Sequence, residues 1–517
     1  MINLLAKHGH FTVNHILALI ATTFPLIALL GWQQSDLFDS PLKHRPIIIW
    51  LELSFVLLHI FLPGKVRDIS WQTLGLVGAF ALLGSLSSIN AENTYASIAR
   101  HAEIILHIIF GISIYQRCND TITRYTLTIG IIIAFIYTVL HVALLLSIVP
   151  TNYDWVAHFP MFSNIRHWGY LLILVMCIIY SQILKEQTSK YLYILLFLTV
   201  FCIFWSGGRG SFIPAMFLIV SAKFICNISW RTYRITILVT VAAGFLASAL
   251  PVENGSLGIA RLFFLDRLDA VSNLDINRIS ANRISIYISS FKEQLQSAPL
   301  LGMGADNFRY SFAQDTHGIP TQPHSVLVQI IYEYGIIGSL IIAGLLYRFI
   351  NMSLKCAENK QERFAILCIL GAFFFSASVD GHFYHSFSLL CISLVAPLLI
   401  NSRQENNHGR VQVKRTAIFI GIIPLLFIMY KHTQTFIAYS SPLKNTQQIE
   451  TVRSFPSVIL NNNWLNSDNP DLLKAAFELA IVRSDVQCGN AVMAKLMGID
   501  IDDIIPPACE NRKISIW

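Results

Sequence analysis

Thirteen apolar stretches, each close to the length that crosses a lipid bilayer, recur along the 517-residue chain. A membrane-spanning helix needs about 20 mostly apolar residues. The stretches lie at residues 13–31, 46–62, 70–89, 95–116, 125–149, 168–184, 191–206, 210–227, 234–250, 324–349, 364–380, 383–400 and 416–431. Only 13% of the residues are charged, against roughly 25% in soluble domains, which excludes a soluble globular enzyme. We therefore predict an all-α polytopic membrane protein with about 13 transmembrane helices, in the range of about 12 to 14.

Positive charge alternates between successive polar segments, and this pattern predicts the orientation of the chain. Seventeen Lys and Arg residues lie in every second segment. The short segments between them hold only a few: Lys43, Arg45, Arg100, Arg166 and Arg209. Because loops rich in Lys and Arg remain cytoplasmic, the second group of segments faces the outside. The first stretch follows Lys7 like a signal peptide, but no small-x-small cleavage site follows it and the alternation requires it as a span.

This orientation divides the chain into four regions. Residues 1–250 are expected to form an N-terminal bundle of nine spans, and residues 251–323 a large periplasmic loop that contains an amphipathic helix. Residues 324–431 supply the last four spans, and residues 432–517 form a small periplasmic tail. The odd number of spans places the N-terminus inside and the C-terminus outside.

Two cysteines, Cys488 and Cys509, are the only ones that this topology exports. In an oxidising periplasm they can form a disulfide that closes a loop of about twenty residues, which would stabilise the tail by roughly 3 kcal/mol. The alternative is a pair of unrelated thiols.

An amphipathic helix is predicted over residues 277–296 of the exported loop, because the apolar residues of this segment recur on one stripe. Arg278 and Arg283 lie at its N-terminal end. Cations in that place oppose the helix dipole, which indicates an anionic partner. The alternative is an ordinary solvated face.

A second candidate is the segment Gln322-Pro323-His324-Ser325, directly before a long apolar stretch. Pro suits the first turn of a helix, so we expect His324 at a helix N-terminus on the outer membrane boundary. The dipole there disfavours a positive imidazolium, and free backbone N–H groups favour an anion. This helix start can therefore present a general base beside an anion site. The alternative is a histidine that anchors a helix end.

The third candidate is a glycine-rich turn at residues 205–211, which places Arg209 at the outer boundary between two spans. Glycines let the chain reverse and approach a ligand closely. A guanidinium group in such a place suits pyrophosphate, because it binds two phosphate oxygens and stays charged. The alternative is an ordinary hairpin with a snorkelling arginine.

Two further groups of ionisable residues lie in or near the spans. A short outward hairpin that could line an acceptor entrance carries Asp380, His382 and His385. Their spacing matches no strong zinc pattern, so we predict no metal site. Arg100, Glu103 and His107 share one face of the fourth span, where we expect an internal ion pair that steadies the bundle rather than catalysis.

Four segments together resemble the O-antigen ligase superfamily. They are Ser206-Gly207-Gly208-Arg209-Gly210-Ser211, Asn282-Arg283-Ile284-Ser285-Ile286-Tyr287, Pro299-Leu300-Leu301-Gly302-Met303-Gly304 followed by Phe308, and Pro323-His324-Ser325 through Glu333-Tyr334-Gly335-Ile336-Ile337-Gly338. The resemblance covers about residues 200 to 400, and Ser325 stands where Asn is usual. The superfamily joins lipopolysaccharide O-antigen ligases, O-antigen polymerases and bacterial protein O-oligosaccharyltransferases.

The resemblance implies a GT-C-like enzyme of the bacterial inner membrane, with its active site and tail facing the periplasm. Such an enzyme transfers a glycan from undecaprenyl pyrophosphate to an acceptor hydroxyl, with inversion and without a metal or other cofactor. Carried onto this chain, the resemblance implies that Arg209 and Arg283, with Arg278 nearby, bind the pyrophosphate and that His324 is the general base. The expected partners are the lipid-linked donor, the acceptor and membrane lipids, with no nucleic acid.

The acceptor is expected to be a protein, such as a pilin Ser or Thr, because protein-glycosylating members often extend beyond the last shared spans. A lipopolysaccharide O-antigen ligase that acts on lipid A-core is the closest alternative, followed by an O-antigen polymerase. A membrane transporter or flippase would also carry charged residues within its spans. The large exported loop with its Arg and His elements, and the lack of an evident inverted repeat, count against that alternative.

Overall fold

The structure of the chain is a computed structural model. It describes residues 12–33, 45–63, 69–92, 94–117, 121–147, 155–156, 159–162, 164–184, 189–249, 258–262, 283–308, 322–355, 357, 359–399 and 410–411. Several predictions concern residues outside these ranges: those for Arg278, Cys488, Cys509, the stretch 416–431 and the tail 432–517.

Helices account for nearly all of the described structure. Their bounds are α1 Val13–Gln33, α2 Arg45–Phe61, α3 Trp71–Ser87, α4 Thr94–Arg117, α5 Thr121–Leu146, α6 Ile165–Ile183, α7 Lys190–Ser206, α8 Arg209–Phe224, α9 Trp230–Ala249, α10 Ile259–Leu262, α11 Arg283–Ser297, α12 Val326–Lys355, α13 Lys360–Val379 and α14 Ser386–Val395. Short 3₁₀ turns lie at Ser88–Asn90, His382–Tyr384 and Ala396–Leu399. Two strands that the sequence did not predict, β1 Ile69–Ser70 and β2 Arg410–Val411, pair antiparallel.

The first twelve predicted apolar stretches each coincide with one of these helices. Among the described residues, eight helices are long and apolar enough to cross a membrane: α1, α3, α4, α5, α6, α9, α12 and α13. The apolar segments Ile47–Phe61, Lys190–Ser206 and Ser386–Leu399 are shorter, and α8 has 16 residues. These eight helices indicate a multi-pass membrane protein. The helical architecture is confirmed, whereas the count of thirteen spans stays a prediction.

Helix α6 lies at the centre of the bundle. Fifteen of its 19 residues are buried, and it packs against α7, α8 and α13. Lipid can also cover an apolar helix, so it is this burial that shows neighbouring helices covering α6 on most sides. Because it is held so firmly, α6 provides a rigid support for the polar residues at its N-terminal end, Arg166 and Tyr170.

Helix α12 is broken at Gly335, whose backbone has φ 64° and ψ −168°. The segment 299–304 runs beside the break and hydrogen-bonds to it, as in the 2.9 Å bond from Met303 N–H to the Tyr332 carbonyl. A Cβ on Gly302 would lie 2.4 Å from the Gly335 nitrogen, so the two chains can meet only without side chains there. This close approach is the physical reason for Gly302 and Gly335, and it joins the segment that follows α11 to α12.

Candidate active site

Four arginines meet around one cavity of about 340 Å³. The cavity lies between the N-terminal ends of α6, α8 and α11 and the C-terminal end of α13. Its charged lining residues, within the described part of the chain, are Arg166, Arg209, Arg261, Arg283 and Asp380. Four guanidinium charges and one carboxylate leave a net charge of +3, which favours an anionic ligand. We call this site the arginine cavity.

Arg209 enters the cavity from the glycine-rich turn. Gly207 ends α7 in the left-handed conformation, with φ 63°, and Arg209 is the first residue of α8. A Cβ on Gly207 would lie 2.9 Å from Cβ of Arg261, so the missing side chain lets the segment 258–262 pack on the turn. The Arg209 Nε then donates a 3.1 Å hydrogen bond to the Arg261 carbonyl. The turn therefore brings two arginines to the cavity together.

Arg283 is the first residue of α11. Its guanidinium group donates a hydrogen bond to the carbonyl of Val379, the last residue of α13. A cation at a helix C-terminus is favourable, because the carbonyls there carry partial negative charge. The structure thus places Arg209 and Arg283, which are 74 positions apart in the sequence, in the same cavity.

His324 lies just before α12, in a left-handed backbone conformation with φ 54°. The expected placement of Pro323 in the first helical turn is wrong, because α12 begins at Val326. Ser325 precedes that first residue, and its hydroxyl accepts from the Val328 N–H at 3.5 Å, so Ser325 takes the cap position. A positive φ is uncommon outside glycine and stores roughly 1–3 kcal/mol of strain, of the kind often found at functional sites.

Asp380 connects His324 to the arginine cavity. Its Oδ1 lies 3.8 Å from Nδ1 of His324, a charge contact too long for a hydrogen bond. The hydroxyl of Tyr170 and the N–H of Gly381 donate to the same oxygen at 2.9 and 3.0 Å. Burial alone would raise the pKa of Asp380, but His324 and the cations Arg283 and Arg166 outweigh it and hold this pKa well below its usual range. Asp380 is therefore a carboxylate at neutral pH.

The two histidines of the same hairpin are buried and do not line the cavity. His382 Nε2 lies 2.8 Å from the Ser376 hydroxyl. The ring of His385 lies against that of His167, with centroids 3.6 Å apart and the ring planes tilted by 45°. Burial lowers the pKa of His382 to about 4 and holds that of His385 well below its usual value. Of the three hairpin residues, Asp380 alone reaches the cavity. Their role as an acceptor entrance stays a prediction.

Sequence reasoning did not single out Arg166, Arg261, Tyr170 or Tyr287, which also line the cavity. One signal existed for Arg166, because it is among the few basic residues of the outward segments. Tyr170 follows it by one helical turn, so it shares the same face of α6. Arg261 had no comparable signal, since its place depends on contact with the distant glycine-rich turn.

An apolar margin borders the cavity. Ile213 on α8, Ile284 on α11 and Phe375 on α13 line it while remaining 46%, 41% and 42% exposed. Phe375 lies on a helix long enough to cross a membrane, whereas Ile213 and Ile284 lie on the shorter helices α8 and α11. The arginine cavity therefore combines a cationic interior with an apolar edge.

A separate group of ionisable residues is buried nearby, and we call it the buried ion network. It consists of Arg45, Glu52, Arg100, Glu103 and His107. Glu103 lies 2.7 Å from Arg100 and 2.5 Å from Arg45. His107 lies 2.7 Å from Glu52 and 3.5 Å from Glu103. The predicted internal ion pair between Arg100 and Glu103 is confirmed, and it is part of a larger set.

Within the described part of the chain, eight helices are long and apolar enough to cross a membrane, and a cationic cavity lies at helix ends. These features define the class of protein as a multi-pass helical membrane protein. Residues 194–343 match the family described as O-antigen ligase. The matched segment runs from α7 into α12 and contains Arg209, Arg283 and His324. The resemblance to the O-antigen ligase superfamily is thereby confirmed, and it indicates a glycosyltransferase-like O-antigen ligase. No curated protein matches the chain.

Proposed function

We propose that this protein is an inverting glycosyltransferase that moves a glycan from undecaprenyl pyrophosphate to an acceptor hydroxyl in the periplasm. The observation that carries the proposal is the convergence of four arginines on one cavity whose single described carboxylate, Asp380, faces His324. Guanidinium groups bind phosphate oxygens in pairs and stay charged, so they suit a diphosphate. The net charge of +3 is opposite in sign to that ligand.

The apolar margin supports a lipid-linked donor. A polyprenyl chain can remain among the exposed side chains of Ile213, Ile284 and Phe375 while its diphosphate enters the cationic interior. Burying apolar chain surface is favourable by about 25 cal/mol per Å². A soluble sugar nucleotide has no apolar chain that could pack against this margin.

In the proposed reaction, His324 takes the proton of the acceptor hydroxyl. Its Nδ1 faces Asp380, so we assign the proton of the neutral ring to Nδ1 and the accepting lone pair to Nε2. The acceptor oxygen forms a bond to the anomeric carbon while the bond from that carbon to the phosphate oxygen breaks. The diphosphate leaves with the electron pair, and a single displacement inverts the anomeric centre.

The charges of the cavity assist both ends of this displacement. The guanidinium groups of Arg209 and Arg283 stabilise the leaving diphosphate as its charge grows, and in this proposal they replace a metal ion. Asp380 stabilises the imidazolium that forms on His324. A positioned general base contributes roughly 10²- to 10⁴-fold to the rate.

The proposed acceptor is a protein hydroxyl of the pilin type, with the enzyme in the bacterial inner membrane and its cavity facing the periplasm. The tail 432–517 motivates this choice, because protein-glycosylating members of the superfamily often extend beyond the last shared spans. A second candidate is transfer to lipid A-core, and the family description as O-antigen ligase favours it.

The decisive experiment uses the purified full chain in detergent with a radiolabelled lipid-linked glycan, offered separately a pilin and lipid A-core. We expect labelled product with one acceptor, and its loss in Arg209→Ala and Arg283→Ala. Arg234→Ala is the matched control, since this arginine is the fifth residue of α9 and lies outside the lining of the arginine cavity. Movement of the donor across a vesicle membrane without any transfer would contradict the proposal and indicate a transporter.

A genetic experiment separates the two acceptors. A deletion strain is examined for both glycosylated protein and modified lipopolysaccharide. Loss of the protein glycan alone supports a protein acceptor, and loss of the lipopolysaccharide glycan alone replaces it with lipid A-core.

A further inference from the structure

The hairpin 380–385, between α13 and α14, is attached to the buried ion network. Arg100 Nη2 donates hydrogen bonds to the carbonyls of Phe383 and Tyr384, at 2.5 and 3.0 Å. The hydroxyl of Ser386, directly after the hairpin, donates to the carboxylate of Glu103. Three contacts from α4 therefore hold the short segment that carries Asp380.

The other terminal nitrogen of Arg100, Nη1, contacts a carboxylate. This Nη1 lies 2.7 Å from Glu103, and both side chains are 1% exposed. Arg45 contacts the same carboxylate. A planar guanidinium group can contact one carboxylate and two carbonyls at fixed angles, and a lysine ammonium cannot reproduce this arrangement.

We propose that Arg100 and Glu103 are positioning residues, which hold the hairpin where Asp380 faces His324 and the arginine cavity. This inference rests on the proposed function of that cavity. Neither residue lines the cavity. They act on the carboxylate of Asp380 through the segment 383–386, which begins three positions after it. A displacement of about 1 Å at a reacting group can lower a rate by about 100-fold.

The chain provides a comparison for Arg100 on the same helix. Arg117 is equally buried and donates to the carbonyls of His59 and Leu62, at 2.6 and 2.7 Å. It lies at the other end of α4, about 26 Å away along the helix. Both arginines hold backbone carbonyls inside the bundle, but Arg100 alone holds the hairpin that reaches the cavity.

The first test compares Arg100→Lys with Arg117→Lys in the transfer assay. We expect Arg100→Lys to lower kcat by roughly 10- to 100-fold with the KM for the donor changed by less than about 3-fold, because the cavity arginines are intact. Arg117→Lys should keep kcat within about 3-fold. Equal losses of kcat in the two variants would overturn the proposal, since they would show a general structural role.

A milder pair of variants guards against misfolding. Ser386→Ala removes the hydroxyl that joins the hairpin to Glu103. Ser393→Ala is its control, because this hydroxyl lies two turns further along α14 and donates to the His107 carbonyl of the same helix α4 at 3.1 Å. We expect roughly a 3- to 10-fold loss of kcat for Ser386→Ala and less than about 2-fold for Ser393→Ala.

Hydrogen exchange provides a measurement that does not depend on activity. The amides of Tyr384 and His385 donate to the carbonyls of Gly381 and His382. Deuterium uptake over residues 380–386 should rise in Arg100→Lys and Ser386→Ala and remain unchanged in Arg117→Lys and Ser393→Ala. Unchanged uptake in the first two variants would overturn the anchoring, even if the wild type transferred no glycan and the proposed function had failed.

A double variant then connects the anchoring to the chemistry. If Arg100 acts through Asp380, combining Arg100→Lys with Asp380→Asn should lower kcat little beyond the larger of the two single effects. Additive losses of kcat in the double variant would overturn the positioning role. Faster deuterium exchange in Arg100→Lys together with a wild-type kcat would overturn it too.

Discussion

The arginine cavity and the buried ion network are neighbours with opposite charge balances. In the network, Arg45 and Arg100 share the carboxylate of Glu103, and His107 contacts Glu52. In the cavity, four arginines face a single described carboxylate. A buried charge is expensive unless an opposite charge compensates it. The network balances its charges with its own side chains, whereas the lining of the cavity carries a surplus of positive charge.

This difference separates arginines that share a buried carboxylate from arginines that line the cavity. The positive-inside rule leaves few basic residues in the short segments that are predicted to face outward, and four of the five basic residues in these short segments are in one of these two places. Arg45 and Arg100 belong to the network, and Arg166 and Arg209 line the cavity. An arginine in one of these short segments therefore marks either the buried ion network or the arginine cavity.

The largest expected effect tests the chemistry of the cavity. His324→Ala should lower kcat by roughly 10²- to 10⁴-fold, because it removes the proposed general base. Donor binding should persist, since the four arginines are unchanged, and so should stability, since the side chain is 24% exposed. The measurements are single-turnover transfer and binding of a fluorescent lipid diphosphate. Wild-type transfer by this variant would remove His324 from the mechanism.

A second pair of variants tests the charge balance by stability. Glu103→Gln should lower the free energy of unfolding by about 3–5 kcal/mol, because Arg45 and Arg100 then remain buried without their shared carboxylate. Arg283→Ala should change it by less than about 1 kcal/mol, because it relieves repulsion among like charges. Thermal unfolding in detergent measures both, with Glu362→Gln near the start of α13 as a control carboxylate. Equal destabilisation by Glu103→Gln and Arg283→Ala would contradict the difference in charge balance between the buried ion network and the arginine cavity.

The carboxylate shared by the hairpin and the cavity should have an intermediate effect. Asp380→Asn keeps the size of the side chain and removes the charge that faces His324 at 3.8 Å. We expect roughly a 10- to 100-fold loss of kcat, equal to the loss of one hydrogen bond or charge contact of about 1.5–3 kcal/mol with an ionised group. Asp306→Asn, outside the cavity lining, is the control. Equal activity of Asp380→Asn and the wild type would exclude a role for this carboxylate at His324.

The sequence was sufficient for the helices, because apolar residues that continue for about 20 positions leave few alternatives to a span. It also singled out Arg209, Arg283 and His324, each of which lies in a recognisable local motif. The structure places Arg209 and Arg283 in one cavity, and the roles of all three residues stay predictions. The sequence was not sufficient for Arg261, which depends on the approach that Gly207 permits. The sequence also did not predict that the helix begins at Val326 with Ser325 as its cap. The positive φ of His324, whose carbonyl accepts a 3.2 Å hydrogen bond from the Tyr287 hydroxyl, was not predicted either.

The glycine motifs also show that a sequence does not reveal which distant segment a local motif contacts. Gly302 and Gly335 were recognisable as parts of the family pattern, but their purpose is a backbone contact between two distant segments. Spacing along one chain segment carries no information about which other segment it meets. The contact between residues 299–304 and the break in α12 is a feature of the tertiary structure alone.

The smallest expected effect concerns the hairpin between the two regions. Burial lowers the pKa of His382 to about 4, against about 6.5 in an unfolded chain. Between these values the unfolded chain binds a proton that the folded chain does not, so stability is complete above pH 6.5 and falls as the pH falls. From pH 7 to pH 5 this residue should account for a loss of about 1–2 kcal/mol.

His382→Gln should remove that share of the pH dependence. Its hydrogen bonds to Ser376 and Ser388 are altered too, so the slope of stability against pH is compared rather than its level at one pH. The other buried histidines contribute to both curves alike. Unfolding measured in detergent at pH 5, 6 and 7 should therefore give a shallower slope for the variant, and parallel curves would mean that His382 is protonated in the folded protein. A charged His382 would place a cation beside Asp380. The charge of the hairpin would then have to be counted with the charges of the arginine cavity.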